Sequence, residues 1–464
     1  MRRDLFTEDH EAFRGLARDF VEKEVVPHYP EWEKGGRMPR DVFKQMGALG
    51  MLGMAIPEEY GGGGVPDYRY NVVLQEEAAR ALVTLSTVRT QLEVILPYFL
   101  HYANEEQRKR WFPGLAAGTL LTAIAMTEPG TGSDLAGMRT TAVRDGDDWI
   151  INGAKTFITG GMQADLVIVV ARTATDPDNR RKGLTLFVVE DGMHGFTRGR
   201  ELEKMGCKVQ DTAELSFVDV RVPNANVLGD EGEAFGYLGH NLPQERLTVA
   251  VGSVSQARSA IAAAIEYTKS RKAFGTPVAS FQNTKFELAA CSTEVEAAQA
   301  MLDRAVVLHV DGELTAADAA RVKLFCTEMQ QRVVDRCLQL FGGYGYMMEY
   351  PIARLYTDAR VARIYAGTSE VMKVIIAKSL GLEHERRVGA DQHPEWYLNL
   401  RAAPEIDFQI ATQAFRATWR QPEGEERHKV WDFMACPPAG SAETAFQQAF
   451  TRTFPARMQS RVVG

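Results

Sequence analysis

The chain has 464 residues, of which 45% are hydrophobic and 25% are charged, and its net charge is -8 at pH 7. This length allows two or three domains with a substantial core. The acidic balance argues against a nucleic-acid partner that binds through phosphate neutralisation. The cysteines are odd in number and none are closely spaced, which disfavours a disulfide framework or a zinc site; they are Cys207, Cys291, Cys326, Cys337 and Cys436. We expect no bound metal.

The first residues of the chain predict no targeting segment. Residues 1–6 lack the apolar stretch of a signal peptide, and an amphipathic helix begins too soon to leave room for a transit peptide. No run of about 18 apolar residues occurs, so we expect no membrane span. We therefore predict a cytoplasmic location.

Residues 1–120 are predicted to form an N-terminal helical domain. Phe13, Ala17 and Phe20 repeat at three- and four-residue spacing, and Thr7 stands before acidic residues where an N-cap is expected. The four glycines at residues 61–64 are not followed by Lys and Ser or Thr, so they predict a turn rather than a phosphate loop.

Residues 121–230 change to a period of two and predict a middle β domain. Asp145-Gly146 and Asn152-Gly153 are typical of hairpin turns. Strands are predicted at residues 149–151, 166–170, 184–189 and 214–218. We expect an antiparallel sheet that closes into a small barrel.

Residues 231–382 return to helical spacing and predict a C-terminal helical bundle domain. The buried stripe of one long helix is predicted to consist of Val322, Phe325, Met329, Val333, Cys337 and Leu340. Residues 383–464 are an appended tail of different character, in which residues 407–419 predict a β-hairpin and residues 423–434 a short helix. The predicted fold class is therefore mainly α, with a central β domain and a short α+β tail.

Residues 241–247 place one acidic side chain, Glu245, in a helix that is otherwise small and apolar downstream. A carboxylate on a mostly buried helix is costly unless it is paired or functional. A salt bridge with Arg246 or another cation would explain it; the alternative is a catalytic base.

Residues 124–134 superficially resemble a dinucleotide loop. Leu135 stands where the third glycine belongs, and the surroundings are not a βαβ unit, so the Rossmann interpretation fails. The loop instead offers glycines and hydroxyls to a flavin edge or a pyrophosphate. At residues 157–159 an aromatic ring and a hydroxyl end a strand and could stack on and hydrogen-bond an isoalloxazine, although core packing would also explain Phe157.

Two later stretches offer further ligand contacts. Residues 271–275 place cations at a helix end, where they could bind a pyrophosphate or simply face solvent. Residues 339–346 contain three glycines that close a long helix, and a C-cap explains only one of them.

Taken together, these motifs make residues 1–382 resemble an acyl-CoA dehydrogenase. The matching stretches are residues 126–134, 157–159, 271–275, 339–343 and 366–370. The resemblance implies a helical N-terminal domain, a central β-barrel domain and a C-terminal four-helix bundle. It also implies non-covalent FAD, and a homotetramer in which two subunits share each flavin.

The resemblance implies three groups of site residues. Those that line the flavin of their own subunit are Ile124, Ala125, Met126, Thr127, Glu128, Pro129, Gly130, Thr131, Gly132, Ser133, Phe157, Ile158, Thr159, Thr368, Ser369 and Glu370. Those that reach a neighbouring subunit's flavin are Arg271, Phe274, Gln282, Gln339, Leu340, Phe341, Gly342 and Gly343. Those that hold the CoA thioester are Ser133, Arg181, Lys182, Pro243, Gln244, Arg246, Ala366 and Gly367.

The sequence departs from much of the family at Ala366, where many members carry the catalytic glutamate. The long-chain and isovaleryl branches place the base where Glu245 stands, and residues 242–247 and 346–351 resemble the long-chain branch. The implied reaction converts a fatty acyl-CoA, of medium or long chain, to a trans-2-enoyl-CoA. Glu245 removes the α-proton, FAD accepts the β-hydride, and the N–H of residue 366 binds the thioester carbonyl.

Several alternatives remain open on this fold. The enzyme could act on isovaleryl or other branched acyl-CoAs, and Gly236 stands where some long-chain members are aromatic. It could also be an acyl-CoA oxidase, or a non-catalytic flavin-binding subunit of a hetero-oligomer. By analogy, we expect an electron-transfer flavoprotein as the electron acceptor.

The tail resembles a different family. Residues 389–434, and residues 393–400 in particular, resemble the C-terminal half of deazaflavin-dependent nitroreductases, which are split β-barrels. The front strands of that family have no counterpart in the chain, and half a barrel cannot close its edges. We therefore expect no independent activity from the tail.

Overall fold

The computed structural model describes residues 2–382, 405–410 and 413–418. The chain divides into two units, residues 1–383 and 384–464. In the second unit, β11 (Glu405–Ile410) pairs antiparallel with β12 (Gln413–Thr418), which confirms the predicted hairpin. The predicted helix at residues 423–434 lies outside the described residues.

The first unit begins with helices. They are α1 (Glu8–Phe20), α2 (Tyr29–Gly35), α3 (Arg40–Ala48), α4 (Arg69–Arg80), α5 (Ser86–Arg89), α6 (Leu96–Tyr102) and α7 (Glu105–Ala116). A π-helical turn, Thr90–Ile95, joins α5 to α6. Thr7 precedes α1, and its N–H donates to His10 Nδ1 at 3.1 Å, so the predicted N-cap is confirmed.

The middle of the chain forms one eight-stranded sheet. Its strands are β1 (Thr122–Ala125), β2 (Thr141–Asp145), β3 (Asp148–Thr159), β4 (Leu166–Arg172), β5 (Leu184–Glu190), β6 (Phe196–Glu201), β7 (Thr212–Pro223) and β8 (Val227–Leu228). The order is β6-β7-β3-β2-β4-β5-β8, with β1 also paired to β4.

Three predictions for this sheet are wrong. The sheet is mixed, because β1 and β2 both run parallel to β4, and it does not close, because its path ends at β6 and β8. Asn152-Gly153 is not a hairpin turn: β3 continues through it to Thr159 along β7, with a bulge at that point. Long pairing with β7 therefore overrides the local turn preference. The turn at Asp145-Gly146 does join β2 to β3.

The rest of the first unit is helical. It contains α8 (Ala234–Ser270), α9 (Gln282–Val310), α10 (Ala316–Gln339), α11 (Pro351–Ala359) and α12 (Ser369–Ser379), with a two-residue hairpin pair β9 (Lys272–Ala273) and β10 (Thr276–Pro277). Apolar side chains of α8, α9, α10 and α11 form one core. Phe325 was predicted to be buried in the α10 stripe but is 39% exposed, because the buried face is centred on Cys326, Met329 and Val333.

No helix in the described part of the chain combines the length and apolarity needed to cross a bilayer. Among the same residues, no group of His, Cys, Asp and Glu side chains could hold a metal ion.

Candidate active site

Glu245 lies on α8 and faces the N-terminal helices. The residue is only 6% exposed, and its Oε1 accepts a hydrogen bond from Tyr98 of α6 at 3.0 Å. Burial raises the pKa of Glu245 to about 7, although the Tyr98 hydrogen bond and the nearby Arg246 oppose the rise. Among residues 2–382, Glu245 forms no ion pair, so a salt bridge with Arg246 does not explain its burial. A pKa near 7 suits a general base at neutral pH.

A second buried carboxylate, Glu93, was missed in the sequence. It lies in the π-helical turn and accepts hydrogen bonds from Tyr68 (2.9 Å), Thr248 (2.8 Å) and Gln75 (2.8 and 2.9 Å). Burial raises the pKa of Glu93 to about 7 as well. The signal was available, because an acidic residue interrupts an apolar run there just as at Glu245.

Two buried cations, Arg246 and Lys323, lie near each other, and Lys323 contacts the loop before α12. Arg246 is 6% exposed, and its Nε has no hydrogen-bond partner among the described residues. Lys323 of α10 is fully buried and donates to the Gly367 carbonyl at 2.5 Å. Burial, with the neighbouring Arg246 adding to it, lowers the pKa of Lys323 to about 8. No sequence pattern pointed to Lys323, since its role depends on what α10 packs against.

The loop before α12 is held in a constrained conformation. Ala366 and Gly367 have φ values of +53° and +91°, in the left-handed region that side chains disfavour. Ser369 donates to Glu328 of α10 at 2.7 Å, and the Thr368 side chain caps α12 by accepting the Val371 N–H. The backbone proposed to bind a carbonyl is therefore anchored to α10. Glu370 remains exposed.

The residues predicted to line the subunit's own flavin divide into exposed and inward-facing groups. Phe157 is 67% exposed, and its φ is +59°. The space beside Gly130 and Gly132 is open, because a Cβ placed at either glycine would have no neighbour within contact distance. Partly or fully exposed as well are Ile124, Met126, Thr127, Pro129, Ser133 and Thr159.

Four of these predicted residues have side chains committed elsewhere. Ala125 and Ile158 belong to the core of the sheet, so they offer only backbone to a ligand. Glu128 is buried and pairs with Lys155 at 2.9 Å, and it also accepts the Arg139 and Thr140 N–H groups. Thr131 is buried and donates to the Gly137 carbonyl.

The residues predicted to reach a neighbouring flavin come together at one end of the helical core. The Arg271 guanidinium lies 5.4 Å from the centroid of the Tyr344 ring, and Tyr267 donates to the Phe341 carbonyl at 3.2 Å. Six of these residues are exposed at this end or nearby: Arg271, Phe274, Gln282, Gln339, Gly342 and Gly343. Phe274 is 98% exposed, and its φ is +52°. Phe341 stacks on Tyr267 inside the core, so its side chain is not available to a ligand, and Leu340 is partly buried.

The predicted thioester-binding residues are only partly brought together. Arg246, Ala366 and Gly367 lie around Lys323. Gln244 bridges Glu93 and His309, with distances of 2.7 Å to the Glu93 carbonyl and 2.9 Å to His309 Nε2, and Pro243 is half-buried within α8.

The remaining three thioester candidates lie at the surface. Arg181 rests over the Phe235 ring, and Lys182 pairs with Asp176 at 3.7 Å. Ser133 is exposed in the loop after β1.

Comparison with known proteins identifies the family. Residues 7–119, 123–220 and 232–381 match the N-terminal, middle and C-terminal domains of acyl-CoA dehydrogenases. The pig long-chain specific acyl-CoA dehydrogenase, a mitochondrial protein, is 45% identical over 378 residues, which cover 82% of this chain and 88% of the relative. The chain belongs to the acyl-CoA dehydrogenase family.

Solved acyl-CoA dehydrogenase structures agree with this assignment. The crystal structure of an acyl-CoA dehydrogenase from Geobacillus kaustophilus superposes with a TM-score of 0.80 at 45% identity and covers 82% of this chain and 100% of its own. A glutaryl-CoA dehydrogenase from Mycobacterium smegmatis, in complex with FADH2, has a TM-score of 0.75 at 29% identity and covers 82% and 97% of the two chains.

Members of the family are FAD-dependent, and the geometry of this chain fits FAD. Phe157 and Phe274 are aromatic rings held exposed on left-handed backbone, and the glycines beside them leave room for a close approach. The tail, residues 378–459, matches the quinone reductases that depend on the reduced form of coenzyme F420. Because this coenzyme is a deazaflavin, the match confirms the predicted resemblance of the tail.

Proposed function

We propose that this acyl-CoA dehydrogenase uses Glu245 as the base that removes the substrate's α-proton. The observation that carries the proposal is a fully enclosed carboxylate on α8 with one hydrogen bond and no ion pair in the described residues. Ala366 supports it, because a methyl group at that position carries no proton acceptor.

The surroundings of Glu245 tune its basicity. Removal from water makes the carboxylate a stronger base, while the Tyr98 hydroxyl holds one oxygen in place and limits the rise in its pKa. The α-proton of a thioester is only weakly acidic, so a desolvated carboxylate with a pKa near 7 is better matched to it than an exposed one.

The negative charge that develops on the thioester oxygen needs a partner. Lys323 donates to the Gly367 carbonyl and so anchors the loop that carries the donor we propose for that oxygen, the N–H of Ala366. Arg246 and Lys323 are buried cations beside the same loop and stabilise the negative charge in surroundings of low dielectric constant. The exposed residues around Phe157 would hold FAD, which would supply the hydride acceptor for the substrate's β-hydrogen.

Several finer properties belong to the same proposal. Similarity to the long-chain branch supports a fatty acyl-CoA substrate of medium or long chain. A homotetramer would bring Arg271 and the Gln339–Gly343 turn to a neighbouring subunit's flavin. We further propose electron-transfer flavoprotein as the acceptor of electrons and a cytoplasmic location.

The test is anaerobic flavin reduction in single turnover. Purified holoenzyme is mixed with straight and branched acyl-CoAs, and the loss of flavin absorbance is followed in the parent, Glu245→Gln and Glu266→Gln. Glu266 is the matched control, because it lies exposed on the same helix. We expect rapid bleaching in the parent and the control, and a loss of at least about 1,000-fold in Glu245→Gln. Equal rates in all three would refute the proposal, and peroxide release in air would identify an oxidase.

A further inference from the structure

A cavity of about 30 Å³ lies beside α8, on the same face of the helix as Glu245. Glu245, Thr248, Gly252 and Gln256 are spaced by three, four and four residues, so they line one side of α8. Gly252 and Gln256 border the cavity. Gly252 is seven residues beyond Glu245, which places the cavity about 10 Å along the helix from the proposed base.

The cavity wall is polar. Besides α8, it is formed by α4, the turn before α5, α5 itself and the π-helical turn that follows, and its polar side chains include Gln75, Ser86, Arg89, Glu93 and Gln256. A space of this size admits one or two water-sized groups, and not a long alkyl chain.

Arg89 is the charged donor of this cavity. Within residues 2–382, its guanidinium forms a single hydrogen bond, from Nη2 to Tyr365 Oη at 3.2 Å, and no ion pair. A guanidinium has five N–H donors, so most of them lack an acceptor. Burial alone would lower the pKa of Arg89, but the nearby Tyr365 and Glu93 raise it above its ordinary value, so the guanidinium stays protonated. Gly252 makes room for the guanidinium, because a Cβ there would lie 3.0 Å from Arg89 Nη1.

Among residues 2–382, Tyr365 is the one hydrogen-bond acceptor of Arg89, and Gln75 Oε1, which also lies beside Gly252, forms no hydrogen bond with it. The Glu93 carboxylate already accepts from Gln75, Tyr68 and Thr248. Gln256 Oε1 accepts from Gln330 at 2.7 Å, which leaves its Nε2 as a further donor.

Arg89 is also connected to the reaction site. Its partner Tyr365 directly precedes Ala366, whose N–H is proposed to bind the thioester carbonyl. From Glu245 to Gly252 the axis of α8 rises by about 10 Å, a length that an extended acyl chain spans with about eight carbon–carbon bonds. An alkyl end there would desolvate the Arg89 charge without pairing it, at a considerable energetic cost.

We propose that this cavity receives the far end of the acyl group and selects acyl-CoAs of about eight carbons whose far end carries a hydrogen-bond-accepting oxygen. Arg89 and Gln256 donate to that oxygen, whether it belongs to a carboxylate or to a hydroxyl. This inference rests on the proposed function, since it names the substrate class of the same site.

The test compares three acyl-CoAs of equal length: octanoyl-CoA, 8-hydroxyoctanoyl-CoA and the CoA monothioester of octanedioic acid. Single-turnover flavin reduction gives the rates, and calorimetry on the holoenzyme gives Kd for the matching non-oxidisable 3-thia analogues. We expect the parent to prefer an oxygenated chain over octanoyl-CoA by about 10-fold or more in rate/Kd. If only the octanedioic acid monothioester is preferred, the group that binds in the cavity is a carboxylate. If this compound and 8-hydroxyoctanoyl-CoA are preferred equally, a neutral oxygen is sufficient.

Variants of Arg89 decide whether the cavity causes the preference. In Arg89→Met, the preference for an oxygenated chain over octanoyl-CoA should fall at least about 10-fold. In Arg89→Lys, which keeps the positive charge, part of this preference should remain. Arg258→Met is the control, because Arg258 is exposed on α8 and pairs with Glu296 at 3.1 Å.

Preference for octanoyl-CoA in the parent, or an unchanged ratio in both Arg89 variants, would overturn the inference. If no acyl-CoA reduces the flavin, the proposed function fails first.

Discussion

Replacing Glu245 with glutamine should stabilise the protein at alkaline pH while it removes activity. In the native state burial holds the pKa of Glu245 at about 7, against an ordinary value of 4.5. Between these two values the native carboxyl keeps its proton and the unfolded one releases it, so the free energy of unfolding falls as pH rises from about 4.5 to 7. The difference corresponds to about 3 kcal/mol, at about 1.4 kcal/mol for each pH unit.

The assay is urea unfolding of the parent, Glu245→Gln and Glu266→Gln holoenzymes from pH 5 to pH 8. Taking the difference between variant and parent isolates Glu245 from other titrating groups such as Glu93. The advantage of glutamine should grow with pH by up to about 3 kcal/mol and level off above pH 7. The Glu266→Gln control should show no such trend. A constant difference across the range would mean that Glu245 is not a desolvated carboxylate.

Three other variants test the site and its support. Tyr98→Phe removes the hydrogen bond that limits the pKa of Glu245, so the acidic limb of the kcat/KM pH profile should move to higher pH; an unmoved limb contradicts the contact's role. Lys323→Met removes the charged donor to the Gly367 carbonyl. Losing a charged hydrogen bond worth about 1.5–3 kcal/mol should slow flavin reduction roughly 10- to 150-fold at a normal FAD content. A rate within about twofold of the parent would contradict this role. Lys155→Met leaves Glu128 buried without its cation, and urea unfolding should show a loss of about 3 kcal/mol; an unchanged midpoint contradicts this.

The sequence predicted much of the order of elements, because hydrophobic period and turn residues are local properties. Helical, β and helical regions follow one another as expected, and the hairpin in the tail is present. Glu245 could be singled out because one carboxylate in an apolar helix is unusual. Asn152-Gly153 misled for the opposite reason, since pairing with β7 outweighed a local turn preference.

The partners of the candidate site could not be predicted. Tyr98 and Glu245 are 147 residues apart in sequence, and Lys323 meets Gly367 over 44 residues. Such contacts depend on how helices pack, which one sequence does not encode in its spacing. The direction of individual side chains could not be predicted either. The sequence pointed to the stretches around Ile158 and Phe341 as ligand-binding, but both side chains pack into the core.

The most direct test of Glu245 as the base is exchange of the α-protons of a 3-thia-acyl-CoA with D2O, followed by NMR. This analogue has sulfur in place of the β-carbon and therefore carries no β-hydrogen, so exchange reports proton removal alone. We predict rapid deuterium incorporation with the parent, and none above background with Glu245→Gln at an unchanged Kd. Exchange by Glu245→Gln at the rate of the parent would show that another group removes the proton.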